Sequence, residues 1–336
     1  MKKYGAFILM FCFFILHFYV VCGRDVLICK APDSPEATGI FASIRNSATK
    51  NIRKYIPSPH SELLLGMLLG IDDLKTIPRF SDMLRSTGTI HIVVVSGYNI
   101  SLVFELIISV IGTQYKLKNL VIAQILTLVY SLLTGFQPPV IRAWIMSSIV
   151  SWGRYSGRRI EALQVLIFSA LAMLCFNPLY LLSLSFQLSF LATLSLVLYA
   201  EAFSKLFSKK LRNKALIADL STTLAAQVLV WPLISSYFGR ISLISPFVNC
   251  LILWTVPLAT VLGGIFLITT YVNSILAHLF VWIVYPPLDI FVQVIRFFSK
   301  FNFAVVDYKI STLALLIYYF FVLSFSYFYK ISVDDK

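Results

Sequence analysis

The stretch Arg85-Ser-Thr-Gly-Thr-Ile-His-Ile-Val-Val-Val-Ser-Gly-Tyr-Asn-Ile-Ser-Leu-Val103 decides the fold class of this chain. Polar and small residues stand at the start of an apolar run that continues to about Gly112. The run is long enough to cross a bilayer, which takes roughly 20 apolar residues. Polar groups are costly in hydrocarbon, so they tend to face a bundle interior or a wet cavity and to mark a pathway. The polar and glycine positions are Thr87, Gly88, Thr89, His91, Ser96, Gly97, Asn99 and Ser101. For Gly97 and Ser101 alone, a small-residue contact between helices is an equally good interpretation.

The composition of the chain excludes a soluble domain. Of its 336 residues 59% are hydrophobic and only 13% are charged, and the mean hydropathy is +0.85. Long apolar runs recur at 119–135, 140–153, 161–176, 180–200, 216–237, 242–271, 275–298 and 311–329. We therefore predict an all-α polytopic integral membrane protein with about nine or ten transmembrane helices, some of them broken or re-entrant.

The sequence contains no pattern that is typical of a catalytic or metal centre. Its five cysteines form no CxxC pair, and its four histidines form neither HxH nor HExxH. The paired acids Asp72-Asp73 lie in a predicted loop rather than in a span. We therefore expect no metal, no cofactor and no enzyme activity.

The first sixty residues divide into two predicted segments. Residues 1–22 contain Lys2-Lys3 and about eighteen apolar residues, which favours a first transmembrane helix over a signal peptide. Residues 23–60 form a short, polar, basic segment, which we place outside the cytoplasm. Its basic residues without a nearby acid are Arg45, Lys50, Arg53 and Lys54. They fit either a helix that faces lipid headgroups or an outer contact with nucleic acid. The following run at 63–69 is too short to span, and predicts a surface-lying or re-entrant helix.

The basic residues of the short loops predict the orientation. Counted from a cytoplasmic N-terminus, one side of the membrane receives Lys116, Lys118, Arg154, Arg158, Arg159, Lys205, Lys209, Lys210, Arg212 and Lys214. The opposite side receives the turns Gln137-Pro138-Pro139 and Asn177-Pro178, which carry no Lys or Arg. Because basic short loops stay in the cytoplasm, this asymmetry predicts a cytoplasmic N-terminus.

Five motifs in a fixed order resemble the ComEC-type competence proteins, which are DNA-uptake channels of the bacterial inner membrane. The motif Leu64-Leu-Gly-Met-Leu-Leu-Gly70 precedes the opening stretch, whose parts Arg85 to His91 and Val95 to Asn99 resemble the family's signature. The other three are Thr134 to Ala143, Asn177 to Phe190, and Ala226 to Asn249. Each motif alone is weak, but five in order are specific, and they identify residues 61–336 as the family's membrane channel domain.

The resemblance implies a channel that passes single-stranded DNA into the cytoplasm during natural transformation. The partners it implies are single-stranded DNA, the lipid bilayer, and a separate DNA receptor, nuclease and cytoplasmic motor; a homo-oligomer remains open. Relatives usually carry an extracellular oligonucleotide-binding domain, for which the 37 residues from Arg24 to His60 are too few. Many also carry a C-terminal metallo-β-lactamase-like domain, and we expect no nuclease role here. A reduced version, a truncated gene and a competent partner all stay open.

An anionic polymer that crosses a membrane needs donors or cations spaced along a wet path. The candidates for this path are Thr87, Thr89, His91, Ser96, Gly97, Asn99, Arg142, Gln187, Ser189, Gln227 and Asn249. For the hydroxyl residues, bonding to their own helix is the competing interpretation. Asn99, Gln187 and Gln227 also have the option of pairing across the bundle. The alternative function is a transporter or scaffold for another anionic substrate, such as a lipid or a cell-wall intermediate.

Arg142 is the sharpest single candidate. It follows Pro138-Pro139 by three residues within an apolar run, and it matches the Arg of the family's Gly-Phe-x-Pro-x-x-x-Arg pattern. We expect it to bond backbone carbonyls that the two prolines free, beside the channel mouth. Snorkelling towards the outer interface is the competing interpretation.

Overall fold

The structure is a computed structural model that describes residues 5–22, 39–93, 95, 97–112, 116–210, 212–301 and 305–334. Within these ranges it contains fifteen α-helices, two short 3-10 helices and two short strands. The helices are α1 (Gly5–Cys22), α2 (Ile40–Tyr55), α3 (His60–Leu69), α4 (Pro78–Ser86), α5 (Ile90–Val93), α6 (Gly97–Ile111), α7 (Leu117–Leu133), α8 (Pro138–Tyr155), α9 (Ala162–Phe176), α10 (Leu184–Ser208), α11 (Lys214–Phe238), α12 (Ser245–Ile252), α13 (Thr255–Val272), α14 (Ser274–Phe298) and α15 (Thr312–Asp334). The strands are β1 (Arg240–Ser242) and β2 (Val305–Asp307), which pair antiparallel.

The predicted helical class is confirmed, but the predicted number of spans is not. Among the described residues, five segments are long and apolar enough to cross a membrane: Ile90–Ile111, Leu184–Ser208, Lys214–Phe238, Thr255–Val272 and Ser274–Phe298. Four further apolar helices are shorter: His60–Leu69, Leu117–Leu133, Ala162–Phe176 and Thr312–Val322. The chain is therefore a multi-pass helical membrane protein whose count of nine or ten spans remains a prediction. The β1–β2 ribbon is the one departure from an all-α architecture within the described part of the chain.

The chain divides into two compact units. The predicted boundaries at residues 22 and 60 remain a prediction. Unit 1 consists of Met1–Asp82, Ile90–Ser189 and Ile252–Val294. Unit 2 consists of Met83–Thr89, Phe190–Leu251 and Ile295–Lys336.

In unit 1, helix α6 packs against α7 and α8, and α8 packs against α9. A core of Val95, Ile100, Val140 and Ala143 joins α6 to α8. Phe104 of α6 packs with Leu120 and Ala123 of α7. Close packing of this kind is the main force that holds helices together in a bilayer, where lipid tails are as apolar as the side chains.

Helix α3 is buried on every side, and this excludes the surface-lying alternative for the run at 63–69. All ten of its residues from His60 to Leu69 are buried. It packs against α2, α5 and α13. Gly66 lies against the backbone carbonyl of Val93, where no Cβ would fit. An apolar helix without a polar face is stable only inside a protein or in lipid, and here neighbouring helices cover it.

Two helices continue through prolines in their interiors. Helix α14 runs from Ser274 to Phe298 through Pro286 and Pro287 as a single helix. Helix α11 similarly continues through Pro232. By contrast, the apolar run at 242–271 is divided into α12 and α13.

In unit 2, helix α11 packs against α15 and the ribbon. Tyr318 and Tyr319 of α15 donate to the carbonyls of Val228 and Leu229, at 2.9 and 2.8 Å. These carbonyls lie four and three residues before Pro232, and a proline at that distance provides no amide to Val228. Tyr318 therefore satisfies the carbonyl that Pro232 leaves without its intrahelical donor, and Tyr319 bonds the next carbonyl along the helix.

Candidate functional site

The predicted path residues fall into two groups, one within each unit. His91, Gly97, Asn99, Arg142, Gln187 and Ser189 belong to unit 1, and Thr87, Thr89, Gln227 and Asn249 belong to unit 2. The eleventh candidate, Ser96, lies outside the described residues.

Within unit 1, the structure brings three predicted residues together in what we name the Arg142 clamp: Arg142, Ser189 and Gly97. The Nη1 group of Arg142 on α8 donates to the backbone carbonyl of Ser189 on α10. Its Nη2 group lies close to Gly97. A Cβ added to Gly97 would be 2.8 Å from this Nη2 group and 3.2 Å from the Cβ of Ala143. The clamp thus joins the beginnings of α6, α8 and α10.

One acceptor of Arg142 lies on a neighbouring helix. The carbonyl that accepts from its Nη1 group belongs to Ser189 of α10. The two prolines occupy the first positions of α8, where missing amides cost nothing because the first turn has no intrahelical acceptors. The Nη1 group of Arg142 therefore lies towards α10, and its Nη2 group lies towards α6. A guanidinium carries five N–H donors in one plane, and charged donors of this kind suit phosphate oxygens.

Asn99 has a structural role that the sequence did not reveal. Its side chain is fully buried, and Nδ2 donates to the carbonyl of Met67 at 2.9 Å. Tyr130, which was not among the candidates, donates to the next carbonyl, that of Leu68, at 3.0 Å. Both carbonyls belong to the last turn of α3, where backbone acceptors lack intrahelical donors. Asn99 and Tyr130 therefore cap the buried end of α3.

The second group surrounds Gly88 and Ser245 within unit 2. We name it the Gly88 cluster, and its members are Thr87, Gly88, Thr89, Gln227, Ser242, Ser245 and Asn249. The hydroxyls of Thr87 and Thr89 lie 2.9 Å apart, and they bond back to carbonyls of α4. The side chains of these two threonines therefore bond to nearby backbone carbonyls, as the competing interpretation of the hydroxyl residues predicts.

Ser245 is the centre of the Gly88 cluster. Its hydroxyl oxygen accepts from Gln227 Nε2 at 3.2 Å and from Asn249 Nδ2 at 3.5 Å. The hydroxyl donates to the carbonyl of Gly88 at 3.5 Å. Gly88 adopts φ +69°, and a Cβ there would lie 2.8 Å from the Cβ of Ser245. Glycine is therefore required both for the backbone conformation and for the close approach.

The remaining two candidates of unit 1 are His91 and Gln187. His91 is exposed on the short helix α5. Gln187 donates through Nε2 to the carbonyl of Leu181 at 2.9 Å, which ties α10 to the preceding 3-10 helix. Within unit 1, Asn99 and Gln187 thus donate to different backbone carbonyls.

The basic residues of α2 are not equivalent. Arg53 forms an ion pair with Asp73, with Nη2 and Oδ2 2.8 Å apart, and its Nε lies 3.9 Å from the buried carboxylate of Glu62. The ammonium of Lys54 lies over the ring of Tyr55. Lys50 is exposed, and Arg45 is half-buried. Arg53 therefore stabilises the fold around α3, whereas Lys50 and Lys54 are accessible to an anionic ligand.

One polar contact in unit 1 involves residues that the sequence did not single out. His60, at the start of α3, lies with Nε2 3.1 Å from Oδ1 of Asp289 on α14. Its ring stacks on Tyr285 at 4.5 Å between centroids. The two partners are 229 residues apart in the chain, so no local signal could have indicated the pair.

Comparisons with known proteins agree with the resemblance. A model of the Competence protein family matches residues 68–332. The chain is 28% identical to ComE operon protein 3 of Bacillus subtilis over 213 residues, which is 60% of this chain and 26% of that protein. It is 30% identical to an uncharacterized protein of Aquifex aeolicus over 222 residues, covering 61% of this chain and 53% of the relative.

A third relative is the uncharacterized protein YcaI of Escherichia coli, with 29% identity over 217 residues, 61% of this chain and 28% of YcaI. The chain thus spans about a quarter to about a half of the length of these relatives. No solved structure matches the chain.

Proposed function

Because this chain belongs to the Competence protein family and resembles its ComEC-type members, we propose that it is an inner-membrane channel that carries single-stranded DNA into the cytoplasm during natural transformation. The proposal assigns the chain a path for the strand and no catalytic step. A separate DNA receptor, a nuclease and a cytoplasmic motor would then deliver, degrade and pull the DNA. Homo-oligomers are compatible with the proposal.

The observation that carries the proposal is the Arg142 clamp. A cation held inside an apolar helical bundle is costly and is usually functional. Arg142 follows the first turn of α8, and its guanidinium contacts the beginnings of two other helices. A site of this kind offers planar donors to phosphate groups where three helices begin. Together with the family membership, this favours an anionic polymer as the transported substrate.

The direct test is to delete the gene and follow fluorescently labelled DNA in the host. Loss of labelled DNA from the cytoplasm, with labelled DNA still bound at the cell surface, supports the channel. Import at the normal rate after deletion contradicts it. Restoration by the plasmid-borne gene is the control that excludes an effect on neighbouring genes.

One observation favours the alternative substrate class, an anionic lipid or a cell-wall intermediate. An open groove of about 400 Å³ lies between α2 and α13. It is lined by Ser43, Ile44, Ser47, Ala48, Leu267 and Tyr271. Apolar walls beside a basic helix would suit an acyl chain with an anionic headgroup. If deletion leaves DNA import intact but changes envelope lipid composition, this alternative is correct.

The proposed orientation, with the N-terminus in the cytoplasm, predicts how single cysteines are labelled. Asn213 lies in a basic loop that this orientation places in the cytoplasm. It is unsuitable for a reporter cysteine, because its side chain caps α11 by accepting from the amides of Ala215 and Leu216. Lys210 is exposed in the same loop, and Gln137 makes no side-chain cap. In a cysteine-free background, Lys210→Cys should be protected from a membrane-impermeant thiol reagent in intact cells, and Gln137→Cys should react. The reverse pattern would invert the orientation and place α2 inside the cell.

The proposed outer contact of DNA with α2 is testable through its salt dependence. Replacing Lys50 and Lys54 by Gln should weaken binding of a single-stranded oligonucleotide to right-side-out membrane vesicles. Each lost phosphate contact should lower the slope of log affinity against log salt by about 0.7, the value for single strands. The matched control replaces Lys209 and Lys210, an exposed pair that the orientation places on the cytoplasmic side, and should have no effect. An unchanged slope in the Lys50 and Lys54 variant would leave α2 as a headgroup-facing helix.

A further inference from the structure

The Gly88 cluster contains more hydrogen-bond acceptors than its own donors can satisfy. Ser245 has a single hydroxyl proton, which is directed to the carbonyl of Gly88. Both neighbouring amides must therefore turn their NH₂ groups towards the Ser245 oxygen, as Gln227 and Asn249 do. This arrangement fixes the orientation of both amides and directs their carbonyl oxygens away from Ser245.

Those oxygens are buried and have no protein partner within the described part of the chain. Gln227 is 8% exposed and Asn249 is 5% exposed, and their Oε1 and Oδ1 atoms accept no hydrogen bond from any described residue. The hydroxyl oxygen of Ser242 is also buried and has no hydrogen-bond partner among the described residues. Ser242 lies beside Gly88, because a Cβ on Gly88 would be 2.9 Å from the Cβ of Ser242. Three buried oxygen ligands thus belong to residues that surround one contact, between Gly88 and Ser245.

From this chemistry we propose that the Gly88 cluster binds a monovalent alkali cation, Na⁺ or K⁺. The available ligands are neutral amide, hydroxyl and backbone oxygens, which are the groups that coordinate monovalent cations in membrane proteins. No group of three or more His, Cys, Asp or Glu side chains that would suit a divalent or transition metal occurs among the described residues. The end of α4 adds the negative end of a helix dipole, because its last residue, Ser86, is close to Gly88 in the chain.

An anion is a poor fit for the same site. The NH₂ groups of Gln227 and Asn249 are already directed to Ser245, and the hydroxyls of Thr87 and Thr89 bond to each other and to α4. The oxygens that remain would repel a phosphate. The two clusters thus differ in chemistry, since the Arg142 clamp presents donors and the Gly88 cluster presents acceptors. The cation site does not depend on the identity of the transported substrate.

The test is the thermal stability of the purified full chain in detergent, measured in NaCl, KCl and choline chloride at equal ionic strength. A bound cation stabilises the folded state by mass action. We expect Na⁺ or K⁺ to raise the melting midpoint by about 2 °C or more over choline, with saturation as the cation concentration increases. The two alkali salts together show which cation the site prefers. Equal midpoints in all three salts would overturn the proposal and leave water as the only partner of these oxygens.

Variants locate the effect. Replacing Gln227 by Met and Asn249 by Leu removes both amide oxygens at similar side-chain volume, and should abolish the difference between the alkali salts and choline. The matched control is Gln124→Met, because Gln124 is another buried glutamine, which accepts from Ser148 within unit 1. A cation-dependent rise that persists in the double variant would place the ion elsewhere and refute the assignment.

A milder variant keeps the test decisive if the double variant does not fold. Ser242→Ala removes one oxygen ligand, and it makes the side chain smaller by only a hydroxyl group. It should raise the cation concentration at half-saturation by at least about threefold, in line with the loss of one ligand. An unchanged half-saturation concentration would exclude Ser242 and with it the proposed ligand set.

Discussion

Replacing Arg142 by Gln is expected to leave the protein in the membrane and to abolish most DNA import. The guanidinium donates to the Ser189 carbonyl and lies against Gly97, so it has a fixed position where α6, α8 and α10 begin. Hydrogen bonds from charged groups contribute about 1.5 to 3 kcal/mol each, and the loss of one such bond to a passing phosphate corresponds to a roughly tenfold to hundredfold slower step. Insertion itself should not suffer, because removing a buried cation lowers a cost of roughly 2.5 to 3.5 kcal/mol at mid-helix.

The lysine variant distinguishes a clamp at Arg142 from a side chain that snorkels to the interface. Lys keeps the positive charge but lacks the planar pair of donors, so Arg142→Lys should also lose most import if the residue holds a carbonyl and a phosphate together. At a snorkelling site Lys would serve equally well. Arg154, exposed in the last turn of the same helix, is the matched control, and Arg154→Gln should import DNA at a normal rate. Import by Arg142→Lys at the wild-type rate, with equal protein levels on a membrane immunoblot, would reduce Arg142 to an interface anchor.

The helical class and the presence of a cation within an apolar helix at Arg142 could be predicted from sequence, because both depend on local chemistry. Long apolar runs require hydrogen-bonded helices in lipid, whatever the tertiary structure. Arg142 is a cation inside such a run, and Ser189 is a polar residue inside another. The sequence indicated both of them as members of one path, and in the structure a hydrogen bond joins them.

The parts that could not be predicted depend on which distant residues meet. Asn99 was indicated as a path residue because it is polar, but its amide caps the last turn of α3, 32 positions away in the chain. Length alone left α3 open between a surface-lying and a re-entrant helix. Its burial is decided by neighbours such as α13, whose Gly263 has no side chain and admits Leu64 to a close approach. Such choices are made by packing and leave no periodic signal in the sequence.

The ion pairs of α2 are another feature that could not be predicted from sequence. Four basic residues without a nearby acid fitted either a headgroup-facing helix or a contact with nucleic acid, yet one of them, Arg53, pairs with Asp73, twenty residues further along the chain, and lies beside Glu62. A carboxylate as buried as that of Glu62 requires a cation or hydrogen bonds, and Arg53 and Ser61 supply them. A charge pattern read along one helix therefore overestimates the number of cations that are free to bind a ligand.

Gly97→Ala is expected to reduce DNA import nearly as much as the loss of Arg142, although it changes neither charge nor hydrogen-bonding groups. The new methyl group would lie 2.8 Å from Nη2 of Arg142, and it has no room to move aside because Ala143 is 3.2 Å away. The end of the arginine side chain is the most flexible of these neighbours, so the guanidinium should shift, and its bond to Ser189 should lengthen or break. Since only this tip must move, the helices should remain packed and the protein level should remain normal.

A double-mutant cycle distinguishes this effect from a general packing defect. If Gly97 acts only by giving Arg142 its position, adding Gly97→Ala to Arg142→Gln should cause no further loss of import, because the interaction it disturbs is already absent. Additive losses would mean that Gly97 serves helix packing independently, which is the small-residue contact that its spacing from Ser101 also allows. Gly264→Ala is the matched control within unit 1, because a Cβ there would meet Leu68 at an ordinary 3.9 Å and should leave import unchanged. Normal import by Gly97→Ala would show that the exact position of the guanidinium does not matter, and the Arg142 clamp would then contribute to stability rather than to transport.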